Sequence, residues 1–178
     1  MTDRHVFIDE SKRRDYVVVA AVLVPDDLRA LRHVVTELLL PGQRSLHMTD
    51  ESDGRRTTIA QAFVSAGVEA TVYDAGRSYR TQLQARAACL RLLVDDLATA
   101  PDDAFLIIDQ DDSLVHSDRQ LLFQAVRKVD RLESMRYDHR RRHEELLLGI
   151  PDAIAWCWAK GGRWRNLIGP MVSSVRNP

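Results

Sequence analysis

Two cysteines, Cys89 and Cys157, are all that this chain of 178 residues contains, too few for a disulfide framework or a thiolate zinc site. Both stand among apolar residues on helix-like segments, the setting of buried free thiols in a reducing compartment. Lysine is almost as scarce: of the 25 basic residues only Lys12, Lys128 and Lys160 are lysines. Positive charge therefore rests on arginine, whose guanidinium forks onto phosphate in a way that an ammonium cannot copy. The formal net charge is only −1, so any acidic or basic character is local. Long apolar runs are missing as well. Tyr16 to Pro25 and Leu146 to Trp158 are interrupted or fall short of the roughly 20 residues of a membrane span, so no membrane partner is expected. The start of the chain lacks the basic, apolar and small-residue succession of a signal peptide, and the expected location is cytoplasmic.

What is present is the composition of a globular protein, 45% hydrophobic and 29% charged, of a length that suits one domain over residues 1–178 with a basic tail from about residue 160. Arg4 to Asp9 and Tyr16 to Val24 read as an antiparallel hairpin. Pro25-Asp26-Asp27 opens a helix whose apolar positions Leu28, Leu31, Val35 and Leu38 form one stripe, stopped by Pro41-Gly42. A short strand is predicted at Ser45 to Met48, a helix from Thr57 to Ala66 capped by Gly67, and a strand at Val68 to Tyr73. A core-facing helix spans about Ser78 to Ala98 through Leu83, Ala87, Leu90, Val94 and Leu97. Ala104 to Asp109 reads as a strand buried on both faces. Ser117 and Gln120 resemble a capping box, opening a helix to about Leu132. Ser134 to Tyr137 reads as a further short strand, Pro151 to Trp158 as a last helix, and Arg163 to Pro178 shows little periodicity. Strands alternating with helices after an initial hairpin predict an α/β domain with a mixed sheet.

Three places combine an apolar element with acid at its end. Phe7-Ile8-Asp9-Glu10-Ser11 and Leu106-Ile107-Ile108-Asp109 leave strands, and Asp152 sits in the first turn of an apolar helix. Each has a plain structural alternative, since turns favour Asp and an acid at a helix start is stabilised by about 0.3–1 kcal/mol. Together they predict one concave site, because strand ends of α/β sheets are where sites collect. Clustered carboxylates demand a cation, and an all-oxygen donor set favours magnesium or manganese over zinc. Such a centre suits phosphodiester hydrolysis.

These residues carry a family resemblance. The opening Phe7-Ile8-Asp9-Glu10-Ser11 with the apolar strand after it, Ser45-Leu46-His47-Met48-Thr49-Asp50 before a helix, Leu106-Ile107-Ile108-Asp109, and Glu144 to Trp158 together resemble the domain of unknown function 3800 family, of the ribonuclease H-like superfamily. The resemblance runs from Phe7 to about Trp164. It implies a ribonuclease H-like mixed sheet flanked by α-helices whose acids bind divalent metal for cutting nucleic acid. By matching position, Asp9 would be the central metal ligand, Asp109 and Asp152 would complete the set, Glu10 would be a supporting acid and Glu145 a fourth candidate. The second ligand should leave the strand next to the first, so Asp74 competes with Asp109, and the more uniformly apolar strand favours Asp109. The chain departs from the family in having Lys12 where glycine is common and Pro151 where alanine is common. His47 matches a family position and is a candidate base, although a lone histidine is commonly a structural hydrogen-bonding residue. Asp50-Glu51-Ser52 repeats the opening tripeptide without its apolar lead-in and reads as a loop.

Arginines dominate the stretch before Asp152, with Arg136, Arg140, Arg141 and Arg142 interleaved with His139 and His143. Arg163 and Arg165, with Lys160 and Arg176, form a second group near Trp156, Trp158 and Trp164. Basic side chains beside an acidic site can hold backbone phosphates while exposed rings stack on bases. The bland reading is a solvated charged face, with two of the tryptophans in the core. The sequence thus predicts a magnesium- or manganese-dependent nuclease with nucleic acid as partner. Its rivals are a non-catalytic nucleic-acid- or protein-binding module on the same fold, and a different acidic nuclease fold such as the PIN domain.

Overall fold

A computed structural model describes residues 3–178. Its centre is a strand sequence that cannot face water on either side. β1 (Arg4–Ser11) buries Val6, Phe7 and Ile8, and β2 (Tyr16–Leu23) is buried along nearly its whole length. Side chains alternate across a strand, so Phe7, Val17, Val19 and Ala21 enter one core while Val6, Ile8, Val18 and Ala20 enter another. A sheet apolar on both faces has to be covered on both.

The remaining elements supply that cover. They are α1 (Pro25–Leu38), α2 (Asp53–Ser65), β3 (Ala70–Gly76), α3 (Gln82–Ala98), β4 (Ala104–Asp109), α4 (Val115–Lys128), β5 (Met135–Arg140), α5 (Gly149–Lys160), α6 (Arg163–Ile168) and β6 (Val172–Arg176). The six strands form one mixed sheet in the order β5-β4-β1-β2-β3-β6. β1, β2 and β3 run antiparallel to one another in turn, whereas β4 lies parallel to β1 and β5 parallel to β4. α3 and α4 cover one face with Cys89, Leu90, Leu93, Val94, Leu122 and Val126. α1, α2, α5 and α6 cover the other, each fully buried aliphatic or aromatic side chain contributing roughly 1.5–3 kcal/mol. Among the described residues no helix is long and apolar enough to cross a membrane.

Several expectations are corrected. Ser45 to Met48 is not a strand: it is a loop entering a 3-10 turn at Met48–Asp50, held against the start of α5, where a Cβ on Gly149 would stand 3.2 Å from that of Leu46. α2 begins at Asp53, not Thr57, because the Ser52 hydroxyl accepts a hydrogen bond from the Arg55 N–H and caps the helix. Ser117 caps nothing; α4 already starts at Val115 and the Ser117 hydroxyl bonds back to the Leu114 carbonyl. The tail, without visible periodicity, forms α6 and then β6, which adds to β3 in parallel. Its residues Val-Ser-Ser-Val-Arg are mostly exposed, as an edge strand permits, so apolar alternation is weak there. Both cysteines are buried and free, and burial pushes both thiols up to about 12. Of the tryptophans only Trp164 is buried; Trp156 and Trp158 pack half-buried against the core.

Candidate functional site

Three acids predicted from the sequence meet at one point. Asp9 shares the Phe7 face of β1, two residues on, and therefore faces α5. Ile8 pairs with Ile108 across the parallel β1/β4 ladder, which sets Asp109, the last residue of β4, beside Asp9. Asp152 enters from the first turn of α5. Asp74 is set apart by topology: it stands on β3, with β2 between it and β1, where its carboxylate accepts hydrogen bonds from the Trp158 indole and the Gly76 N–H.

Between the three carboxylates lies Arg142, from the loop after β5. Its guanidinium donates to Asp109 Oδ2 at 2.7 and 3.1 Å and to Asp9 Oδ2 at 3.3 Å, and stands 3.5 Å from Asp152 Oδ1. Asp9 is only 3% exposed and Asp152 only 7%. Backbone supports them: Asp9 Oδ1 accepts from the Glu10 N–H and Asp152 Oδ2 from the Met48 N–H, both at 2.7 Å. Burial, and then the charge of Asp152, push the Asp9 carboxyl well above the usual range, against the pull of Arg142. Burial also raises Asp152, though Arg142 and the Met48 N–H oppose it. Burial acts to lower the Arg142 guanidinium, yet Asp9, Asp109 and Asp152 outweigh it and leave the group more basic than usual.

These side chains form the floor of a cleft of about 760 Å³, whose walls include Lys12, Arg13, His47, Arg56, Asp111 and Trp156. His47 holds Nδ1 3.1 Å from Asp50 and Nε2 3.9 Å from Asp152. A cation of charge two suits this floor in charge and in donor type, since three carboxylates from separate elements converge on one positive group and the donors are all oxygen. Among the described residues no three metal-ligating side chains are close enough to share an ion as they stand. Asp9, Asp109 and Asp152 are of the donor type that a hard divalent ion takes, with the Arg142 guanidinium standing between them.

Other predicted residues lie elsewhere. Glu10 borders the cleft, but its carboxylate turns toward the α3 side, 2.7 Å from Arg86 and 3.3 Å from Lys12. Glu145 is buried outside the cluster; it pairs with Arg32 at 2.9 Å and Arg140 at 3.7 Å and caps a 3-10 turn through the Leu147 N–H. Arg136 and Arg140 lie over Phe105, at 5.2 and 5.4 Å. Arg141 pairs with Asp112 at 2.9 Å. Arg163 stacks on Trp164, and Arg165 stacks on Trp158 and bonds its carbonyl. Of the six arginines predicted to hold nucleic acid, Arg142 alone sits on the acid floor. Glu51, in the repeated tripeptide, is a structural partner of Arg55 and Gln43.

Sequence reasoning missed the buried network beneath Glu10. Arg86 forks onto Asp118 with two bonds of 2.8 Å and also bonds the Tyr16 hydroxyl, while His139 Nε2 lies 2.9 Å from Asp118. Arg86 falls three residues before Cys89 and four before Leu90, on the face of α3 that is buried, whereas Leu83, expected in that stripe, is 52% exposed. No protein-family model matches the chain, and no curated protein matches it either.

Proposed function

We propose that this chain is a divalent-metal-dependent phosphodiesterase acting on nucleic acid, built on a ribonuclease H-like fold akin to the domain of unknown function 3800 family. One observation carries the reading: Asp9, Asp109 and Asp152 converge from β1, β4 and α5 on a single point in an open cleft. The fold reading is supported by the parallel β1/β4 neighbourhood, which places the second acid on the strand beside the first. Asp9, Asp109 and Asp152 would hold a magnesium or manganese ion, which would supply Lewis acidity for phosphodiester hydrolysis. Asp9, the most enclosed and the central acid, holds its orientation through the Glu10 N–H, and Asp152 through the Met48 N–H. Arg142, when it leaves the carboxylates, is placed to fork onto a non-bridging phosphate oxygen. His47 is the one imidazole among the residues bordering the cleft and is the candidate for moving a proton at its rim.

Calorimetric titration with manganese, comparing the wild type with Asp9→Asn, tests this. Binding that vanishes in the variant, together with manganese-dependent cleavage of DNA or RNA by the wild type alone, is the expected result. No binding to the wild type, even with nucleic acid present to supply phosphate ligands, overturns it. The non-catalytic binding module then takes its place, a reading favoured by one observation: Arg142 already neutralises the acids as an internal ion-pair cluster.

A further inference from the structure

Trp156 follows Asp152 by one turn of α5, so the two share a helix face about 6 Å apart along the axis. Around its indole stand three cations: Arg56 at 4.4 Å, Arg13 at 5.7 Å and Lys160 at 6.0 Å from the ring centre. Arg56 is anchored by the Met48 and Thr49 carbonyls and by Asp53. Arg13, at the tip of the β1–β2 hairpin, and Lys160, at the end of α5, are exposed, and among the described residues neither has a carboxylate partner. The ring attracts each cation modestly but neutralises none. Nearby acids are engaged: the floor aspartates by Arg142, Asp111 by Lys12, Asp112 by Arg141, and Asp53 by Arg56 and Arg163. Arg56 is balanced by Asp53, which leaves Arg13 and Lys160 as two cations beside the ring without a carboxylate, open to an anion from outside.

We propose that Arg13, Arg56 and Lys160, assembled on Trp156, form the binding site for the sugar-phosphate backbone of a nucleic-acid strand whose neighbouring phosphodiester lies over the acid floor. The proposal rests on the phosphodiester reading for the position of the scissile bond. Recognition is of phosphate charge, indifferent to base, and thus governed by counterion release. On this proposal the phosphate contacts include the hairpin tip, a position that the sequence reading did not single out, and the exposed end of α5.

Binding can be read without metal or cleavage. In the Asp9→Asn background with chelator present, the anisotropy of short fluorescein-labelled oligothymidylate and oligouridylate is measured over a salt series. Each phosphate contact on a single strand contributes about −0.7 to the slope of log K against log salt, so Arg13→Ala/Lys160→Ala should make that slope shallower by about 1.4 for both polymers. Arg127→Ala/Lys128→Ala, which removes two equally exposed charges from α4 across the sheet, should leave the slope unchanged. An unchanged slope in the Arg13/Lys160 variant, an equal loss in the α4 variant, or a loss confined to one polymer overturns the proposal. Salt-dependent binding that needs Arg13 and Lys160, in a wild type that cleaves nothing with manganese, upholds the site and removes the hydrolytic reading. Cleavage with an unchanged slope does the reverse.

Discussion

Replacing Asp9 with asparagine should stabilise the fold at neutral pH while abolishing its chemistry. The amide keeps an oxygen for the Glu10 N–H, 2.7 Å away, and sheds a charge that is only 3% exposed and faces Asp152 and Asp109. Arg142 loses one partner at 3.3 Å but retains Asp109 at 2.7 Å. Burial and repulsion outweigh Arg142 in the wild type, so the folded Asp9 carboxyl titrates above its unfolded counterpart. Each unit of that difference is about 1.4 kcal/mol. A gain of about 1 kcal/mol corresponds to roughly 2–4 °C in Tm for a chain of this size. The sign follows from proton binding. Above about pH 3.9 the unfolded carboxyl has released its proton while the folded one still holds it, so wild-type stability falls as pH rises from there through the raised folded value. The asparagine amide does not titrate, and the advantage of the variant should therefore be smallest in acid and grow as pH rises until the folded carboxyl too has ionised. Urea denaturation of both proteins across this range reads it directly. A variant less stable than the wild type at neutral pH, or a stability difference that does not change with pH, would refute the electrostatic account.

Arg142→Gln should cost about 1.5–3 kcal/mol without metal, because charged hydrogen bonds are lost and acids stay buried, and manganese should recover more stability than it adds to the wild type; thermal denaturation with and without the ion checks both. Arg86→Met leaves Asp118 and Glu10 without their guanidinium and should cost about 3–5 kcal/mol, with part restored in Arg86→Met/Asp118→Leu; a double-mutant cycle in urea measures it, and no coupling would show the network to be inert. Gly161→Ala should cost about 1–3 kcal/mol, since φ 74° and ψ −167° at the end of α5 belong to a region reserved for glycine; an unchanged urea midpoint would contradict that strain.

The strands of the central sheet were legible because burial on both faces writes itself as uninterrupted apolar sequence, as in Val6-Phe7-Ile8 and Leu106-Ile107-Ile108. The acids at their ends were legible for the same reason: a carboxylate that closes such a run marks where the chain leaves the core. The edge strand β6 was not, because an exposed strand carries no apolar alternation. Nor was the start of α2, where a single hydroxyl cap at Ser52 decides the first turn.

The sequence by itself determined that this chain makes an α/β sheet and which elements deliver Asp9, Asp109 and Asp152. Local burial and periodicity are written along the chain and need no knowledge of partners. Only the tertiary structure decided which charges meet. It set Glu145 against Arg32 rather than in the cluster, turned Glu10 toward Arg86, drew Arg142 onto the acid floor and gathered Arg13, Arg56 and Lys160 on one indole. An ion pair is chosen by distance in space, and the 133 residues that separate Arg142 from Asp9 leave no trace of that choice in the sequence.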